Sequence, residues 1–279
     1  MIEEPYTAHA PSRRRGMYVL PSLFTAGNIG AGFYAITQSI QGSAGNFAYF
    51  DHAAIAIAFA VLFDGLDGRI ARMTNTSSEF GRELDSLADV ITFGVAPALL
   101  AYIWGFRMLP IETIHPVFRS KLIEIGILAC FLFLICGACR LARFNIAVNP
   151  LPKNPGRPGR KYFVGMPIPA GAGVIASVVH FEAGQPIDNP WWALVWFFLV
   201  LFVGYLMVST WRFWSGKELR VESRQPVRLL ILLVIVGVLL VYWSGIVLMV
   251  IALFYMVSGL WARLLYAAEA RSRARREIA

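Results

Sequence analysis

Charged side chains are scarce in this sequence. Only 15% of its 279 residues are charged, whereas 57% are hydrophobic, and the mean hydropathy is +0.60. A typical soluble domain is about 25% charged and about 45–50% apolar. This composition excludes intrinsic disorder and argues against a soluble globular domain. The apolar stretches are continuous rather than alternating, which also argues against a β-barrel. The sequence therefore predicts a helical integral membrane protein.

Cysteine is scarce as well. Cys130, Cys136 and Cys139 all lie in one apolar run, so the sequence indicates no disulfide framework. The net charge of +8 would suggest nucleic-acid binding in a soluble protein. In a membrane protein it more often reflects cytoplasmic loops that face anionic lipid. We therefore expect the lipid bilayer, and no nucleic acid, as a partner.

Eight apolar segments are predicted to cross the membrane. They span residues 18–38, 47–68, 86–106, 122–142, 163–182, 191–211, 227–243 and 246–265. Residues 229–262 carry no charge, and one straight helix of that length would exceed a hydrocarbon core about 30 Å thick. We therefore predict that the chain turns back at Ser244 and Gly245.

The basic residues predict the orientation of these segments. With eight crossings and the N-terminus in the cytoplasm, only Arg107, Arg119 and Lys121 of the 25 lysines and arginines face the opposite side. This bias is typical of cytoplasmic loops. The predicted fold is an all-α bundle of about eight transmembrane helices in the cell (cytoplasmic) membrane, with both termini cytoplasmic. Basic segments flank it at residues 1–17 and 267–279.

Four of the six aspartates lie close together in the sequence. They are Asp64, Asp67, Asp85 and Asp89. Spacings of three and four residues place each pair on one face of a helix. The two predicted helices are consecutive and antiparallel, so both pairs approach the cytoplasmic surface. Four carboxylates there repel one another, and an all-oxygen ligand set suits Mg²⁺, Mn²⁺ or Ca²⁺ rather than zinc. The alternative is that they cap helices and pair with Arg69, Arg72 and Arg82.

The aspartates belong to a longer pattern. Residues 64–72 read DGLDGRIAR, and residues 81–89 read GRELDSLAD after eight intervening positions. The string resembles the signature of the CDP-alcohol phosphatidyltransferase family, D-x2-D-G-x2-A-R-x8-G-x3-D-x3-D, at every fixed position. The resemblance implies that the first three aspartates bind metal, two Mg²⁺ or Mn²⁺ ions, which hold the diphosphate of a CDP-linked donor. It implies that Asp89 is the general base and a further metal ligand. Donor contacts are expected at Gly68, Ala71, Arg72 and Gly81.

Three other segments help to identify the acceptor alcohol. Residues 21–28 read PSLFTAGN, residues 91–98 read ITFGVAPA and residues 137–145 read GACRLARFN. They resemble the phosphatidylserine synthases of this family, and GMPIPA at residues 165–170 fits as well, although Ser22 departs from the usual string. The implied substrates are CDP-diacylglycerol and L-serine, and the implied assembly is a homodimer with its active site on the cytoplasmic side. Residues 18–182 would be the catalytic bundle, and residues 183–266 would add further helices.

The expected acceptor site combines residues of the first predicted span with residues at the end of the fourth. It comprises Thr25, Asn28, Arg140, Arg143, Phe144 and Asn145. An arginine at Arg140 or Arg143 could bind the serine carboxylate through a planar pair of N–H donors. Both could equally be anchors of positive-inside topology, and the sequence does not rank them. Another acceptor, such as glycerol 3-phosphate, choline or inositol phosphate, stays open, as does a transporter that uses intramembrane carboxylates.

Overall fold

The computed structural model describes residues 19–74, 79–112, 114–146, 162–214 and 226–278, and the predicted basic segment 1–17 lies outside them. The described chain is predominantly helical, as predicted. Its helices are α1 (Val19–Gly42), α2 (Ala48–Thr74), α3 (Glu79–Asp89), α4 (Ala96–Tyr102), α5 (Pro116–Ile146), α6 (Ile168–Phe181), α7 (Pro190–Val208) and α8 (Pro226–Ile278). Two short strands, β1 (Tyr162–Val164) and β2 (Arg212–Trp214), and two π-helical segments complete the described elements.

Five described segments are long and apolar enough to cross a membrane. They are Ala48–Gly65, Phe80–Arg107, Pro116–Ile146, Pro190–Val208 and Gly237–Leu264. Helix α6 is also apolar but has only 14 residues. Every segment predicted from the sequence overlaps one of the eight helices, whereas the count of eight crossings stays a prediction. Helix α8 continues to Ile278, so most of the predicted tail at 267–279 is the last part of this helix.

The third predicted segment is one continuous helical run whose winding changes along its length. Helix α3 passes through a π-helical segment, Val90–Val95, into α4, and a second π-helical segment, Ile103–Arg107, ends the run. Pro97, in the first turn of α4, has no N–H to donate to a preceding carbonyl, which is compatible with wider winding just upstream. Short π-helical stretches often occur at functional sites, and the first one begins directly after Asp89.

The fifth predicted span starts too early in the sequence. Residues 163–164 belong to β1, which pairs antiparallel with β2 so that Phe163 lies opposite Phe213. Gly165 then has a φ of 76°, a conformation that side chains disfavour, and its N–H donates to the Trp211 carbonyl at 2.8 Å. Helix α6 therefore begins only at Ile168. In the same way α7 ends at Val208 rather than at residue 211, because Ser209 is extended.

The last helical element is interrupted at one residue. Trp243 has non-helical angles, φ −137° and ψ 39°, and divides α8 into two helices. This break lies one residue before the turn predicted at Ser244 and Gly245. The structure thus contains the predicted interruption but no connecting loop.

A polar link joins three helices beside this break. The Nδ1 atom of His180 on α6 lies 2.5 Å from Oδ1 of Asp51 on α2, and its Nε2 atom lies 2.8 Å from the Ser244 hydroxyl. Asp51 lies at the start of α2 and Asp64 towards its end, about 20 Å away at 1.5 Å per residue. The link therefore stabilises the end of the bundle opposite the aspartate cluster.

Small residues let the helices of the bundle approach one another closely. A Cβ on Gly32 of α1 would lie 2.6 Å from Oγ1 of Thr92, and one on Gly42 would lie 2.8 Å from the Phe50 ring. Both glycines therefore sit where a larger side chain would force helices apart, as is common in membrane bundles. The core between the helices is filled by buried aromatic rings such as Phe93, Trp104 and Phe133.

Candidate active site

Three carboxylates from two consecutive helices converge at one end of the bundle. Asp64 lies on α2, and Asp85 and Asp89 lie on α3. One oxygen atom from each of the three lies within 4.8 Å of the others. Asp89 is only 9% exposed, whereas Asp64 and Asp85 are partly exposed. The structure therefore brings together three of the four aspartates selected from the sequence.

The spacing of these oxygen atoms suits a divalent cation. Mg²⁺ and Ca²⁺ bind oxygen ligands at about 2.0–2.6 Å, so two ligands of one ion lie up to about 5 Å apart. The separation of at most 4.8 Å between the three oxygen atoms falls within that limit. The all-carboxylate composition favours Mg²⁺, Mn²⁺ or Ca²⁺ over zinc. A bound cation would also offset the repulsion between Asp64, Asp85 and Asp89.

The predicted donor residues lie on the same two helices. Four of the selected residues belong to the backbone of α2, but their side chains lie outside the described part of the chain. These four are Asp67, Gly68, Ala71 and Arg72. Gly81 lies on the first turn of α3 and is partly exposed.

Helix α1 packs against the π-helical segment that follows Asp89. The Thr92 hydroxyl donates to the Asn28 carbonyl at 2.9 Å, an approach that Gly32 permits. Thr25 and Asn28 are both only 4% exposed. The side-chain oxygen of Asn28 is buried and has no hydrogen-bond partner within the described ranges. Such a buried acceptor is costly unless a ligand or water satisfies it.

Arg140 is buried on the last turns of α5. Its side chain is 7% exposed, and its Nε atom has no hydrogen-bond partner among the residues that the structure describes. The guanidinium lies over the Phe144 ring, with Cζ 5.9 Å from the centroid. It is within electrostatic reach of the Asp89 carboxylate and of Tyr255 on α8. The positive charge of Arg140 therefore acts on the most buried aspartate of the cluster.

Arg143 has different surroundings, although it is one helical turn away. Its Nη1 atom donates to the Val208 carbonyl at 3.0 Å, and its Nη2 atom donates to the Val164 carbonyl at 3.1 Å. These carbonyls belong to the end of α7 and to β1. The guanidinium thus joins α5 to the backbone of two other elements, and Gly165 beside it leaves no room for a Cβ.

Phe144 and Asn145, which are also expected in the acceptor site, have different contacts. The Asn145 side chain donates to the Ser86 hydroxyl at 2.9 Å, so it joins the end of α5 to the aspartate helix α3. Phe144 is half exposed, at 49%, and its ring contacts the guanidinium of Arg140. Asn145 therefore contacts the helix that carries Asp85 and Asp89, whereas Phe144 contacts Arg140.

The sequence profile of the CDP-alcohol phosphatidyltransferases matches residues 18–184. The chain belongs to this family. The matched residues include the carboxylate cluster, Asn28 and Arg140, whereas α7 and α8 lie beyond them.

Relatives within the CDP-alcohol phosphatidyltransferase family share most of the chain. A protein of Helicobacter pylori named CDP-diacylglycerol–serine O-phosphatidyltransferase is 38% identical over 231 residues, or 80% of this chain and 83% of that protein. One of the same name from Bacillus subtilis is 34% identical over 218 residues, or 76% of this chain and 99% of that protein. A third, from Saccharomyces cerevisiae, is 38% identical over 161 residues, or 57% of this chain and 53% of that protein.

Sequence reasoning missed three residues that the structure places around the site of this phosphatidyltransferase. The Ser86 hydroxyl accepts a hydrogen bond from Asn145, and the Thr92 hydroxyl donates one to the α1 backbone. Tyr255 lies near Arg140. Ser86 and Thr92 lie within the motifs already quoted, so they could have been selected from the sequence as site residues. Tyr255 lies in a long apolar run more than a hundred residues from Arg140, and nothing in the sequence indicates their proximity.

Proposed function

We propose that this phosphatidyltransferase transfers the phosphatidyl group of CDP-diacylglycerol to the hydroxyl group of L-serine, which yields phosphatidylserine and CMP. The observation that carries the proposal is the convergence of Asp64, Asp85 and Asp89, with the buried Arg140 within electrostatic reach of Asp89. The carboxylates supply a site for cations and a base, and the arginine supplies a partner for a carboxylate. The names of relatives that share most of the chain support serine as the acceptor.

The donor site in this proposal lies between α2 and α3. Asp64, Asp67, Asp85 and Asp89 hold two divalent cations, Mg²⁺ or Mn²⁺. When bound, such ions neutralise the diphosphate and stabilise negative charge on departing CMP. The nucleotide lies against the same helices, at the residues Gly68, Ala71, Arg72 and Gly81. Glycine allows the nucleotide to approach the backbone, and Arg72 offers paired N–H donors to phosphate.

Asp89 acts as the general base. Its carboxylate accepts the proton of the serine hydroxyl while the hydroxyl oxygen attacks the phosphorus that carries diacylglycerol. The bond from that phosphorus to the bridging oxygen of the diphosphate breaks, and CMP leaves with the bonding electrons. The burial of Asp89 keeps bulk water from competing with the serine hydroxyl for the same phosphorus. Proton transfer by a positioned carboxylate typically contributes about 10²–10⁴-fold to the rate.

The serine site in this proposal is centred on Arg140. Its Nε atom and its burial suit a carboxylate that arrives with the substrate, because a charged partner satisfies a buried guanidinium best. The buried side-chain oxygen of Asn28 suits the serine ammonium group, and Thr25 lies one turn earlier on α1. Arg143, Phe144 and Asn145 shape the site, since Arg143 and Asn145 join α5 to neighbouring elements.

The proposal is tested by incubating the purified protein with CDP-diacylglycerol, Mg²⁺ or Mn²⁺, and a panel of acceptors. We expect phosphatidylserine and CMP with serine, and loss of both products when the divalent cations are chelated. Glycerol 3-phosphate, choline and inositol phosphate serve as competing acceptors, and mass spectrometry identifies the lipid formed. If glycerol 3-phosphate is used and serine is not, the serine assignment is wrong, while the roles of the aspartates survive.

We further propose that the chain crosses the cytoplasmic membrane eight times, with both termini and the aspartate cluster at the cytoplasmic face. The distribution of lysine and arginine supports this orientation. Single cysteines introduced at Ile111 and at Arg82 in a cysteine-free variant should differ in labelling by a membrane-impermeant maleimide on intact cells. Residue 111 should react and residue 82 should not. Reaction at both or at residue 82 alone contradicts the orientation.

By resemblance to the family, we also propose a homodimer.

A further inference from the structure

The second half of α8 carries an apolar groove on the outside of the bundle. A cavity of about 540 Å³ is lined there by Trp214 of β2 and by five residues of α8. The five are Val250, Ile251, Phe254, Tyr255 and Ser258. The side chains of Val250, Ile251 and Phe254 are all more than half exposed. The volume falls within the range of about 300–1,000 Å³ that is usual for ligand sites, and the lining suits an elongated apolar group.

The groove runs along the membrane-spanning part of α8. Its residues lie within Gly237–Leu264, one of the apolar segments long enough to cross a membrane. From Val250 to Ser258 the helix rises about 12 Å, so the groove extends over less than half of a hydrocarbon core about 30 Å thick. Trp214 lies near Tyr255 at one end of it, and tryptophan is enriched at membrane interfaces. The end of the groove formed by Trp214 and Tyr255 is therefore the one expected nearer the lipid headgroups.

The headgroup end of the groove adjoins the candidate active site. The Tyr255 hydroxyl donates to the Trp214 carbonyl at 3.1 Å, and its ring centroid lies 5.7 Å from that of Phe213. Tyr255 is also within electrostatic reach of Arg140, which is in turn within reach of Asp89. One residue thus forms a wall of the groove and a neighbour of the serine site. Gly259 has no room for a Cβ against Phe213, so α8 packs tightly against β2 here.

We propose that this groove binds one acyl chain of the CDP-diacylglycerol donor. The proposal rests on the proposed function, because it assumes that the diphosphate lies at the aspartate cluster. A donor bound there has to extend its acyl chains from the polar site into apolar surroundings. A groove whose wall includes Tyr255, which is within electrostatic reach of Arg140, would give one chain a fixed path and so align the reacting phosphorus with Asp89. The second half of α8, which lies beyond the family match, would then belong to the donor site.

A bulky side chain in the groove tests the proposal. Val250→Trp fills the groove about 7.5 Å deeper than Tyr255, by the helical rise, whereas Val241→Trp places the same side chain at a lipid-exposed valine outside it. We expect Val250→Trp to raise the KM for CDP-dipalmitoylglycerol about 10-fold, the lower end of what a mismatch in an apolar pocket produces. The KM for serine and for CDP-dibutyrylglycerol, whose chains do not reach that depth, should stay within about twofold of wild type. Equal effects of the two tryptophans would overturn the proposal.

A second measurement does not depend on turnover. CDP-diacylglycerol with a photoreactive diazirine near the end of one acyl chain should label residues 250–258, as mapped by peptide mass spectrometry. Unlabelled CDP-diacylglycerol should suppress this labelling, and phosphatidylcholine at the same concentration should not. Equal suppression by both lipids means that the groove holds ordinary bilayer lipid, which overturns the proposal. If the labelling is specific but serine is not the acceptor, the groove survives and the serine assignment fails.

Discussion

Replacing Asp89 with asparagine is expected to lower kcat by about 10²–10⁴-fold, the usual contribution of a general base. Asparagine keeps the shape of the side chain but cannot accept the proton of the attacking hydroxyl. Asp89 is the most buried of the three described carboxylates and lies within reach of Arg140, so its loss should affect the acceptor half of the reaction most. Steady-state kinetics with saturating serine and CDP-diacylglycerol measure the change.

The matched controls for this prediction are Asp64→Asn and Asp85→Asn. Their carboxylates are more exposed and belong to the proposed cation and diphosphate site. They should weaken divalent-dependent binding of CDP-diacylglycerol, whereas Asp89→Asn should spare this binding more than it spares turnover, because the amide oxygen of asparagine can still contact a cation. Thermal unfolding of each variant checks that the bundle is intact. If Asp89→Asn abolishes donor binding, its role is that of a ligand alone, and near-normal turnover in all three variants rejects the mechanism.

Arg140→Lys is expected to raise the KM for serine at least about 10-fold, with little change in the KM for CDP-diacylglycerol. Lysine keeps the positive charge but loses the planar pair of donors that matches a carboxylate. The sharper measurement compares serine with serinol, which carries a hydroxymethyl group in place of the carboxylate. A buried guanidinium left without its partner costs about 1–3 kcal/mol, or about 5–150-fold. Wild type should prefer serine by such a factor, and the variant should lose most of that preference.

Arg143→Lys is the control, because Arg143 is the same residue type one turn along the same helix. Its hydrogen bonds go to the carbonyls of Val164 and Val208. The variant should therefore unfold at lower temperature than Arg140→Lys while keeping the preference for serine over serinol. Loss of the preference in Arg143→Lys alone would reverse the roles of the two arginines. If neither variant alters it, both are structural, and serine recognition lies elsewhere.

Much of the candidate site could be predicted from the sequence. The spacing of Asp85 and Asp89 places them on one helical face, and the short connection after α2 brings Asp64 to the same end. Both are properties of neighbouring residues and of helix geometry. The ends of the helices could be predicted less well. The start of α6 at Ile168 depends on the pairing of β1 with β2, a contact between residues about fifty positions apart.

The sequence by itself determined the membrane class, the helical architecture and the grouping of the carboxylates, because hydropathy and local spacing carry that information. Only the tertiary structure distinguished the two arginines of the predicted acceptor site. Arg140 and Arg143 are three residues apart on α5 and have the same chemistry. Their roles differ because the end of α7 and strand β1 supply carbonyls to Arg143, while Asp89 and Tyr255 lie near Arg140. Those neighbours come from distant parts of the chain, and only the packing of the helices brings them together.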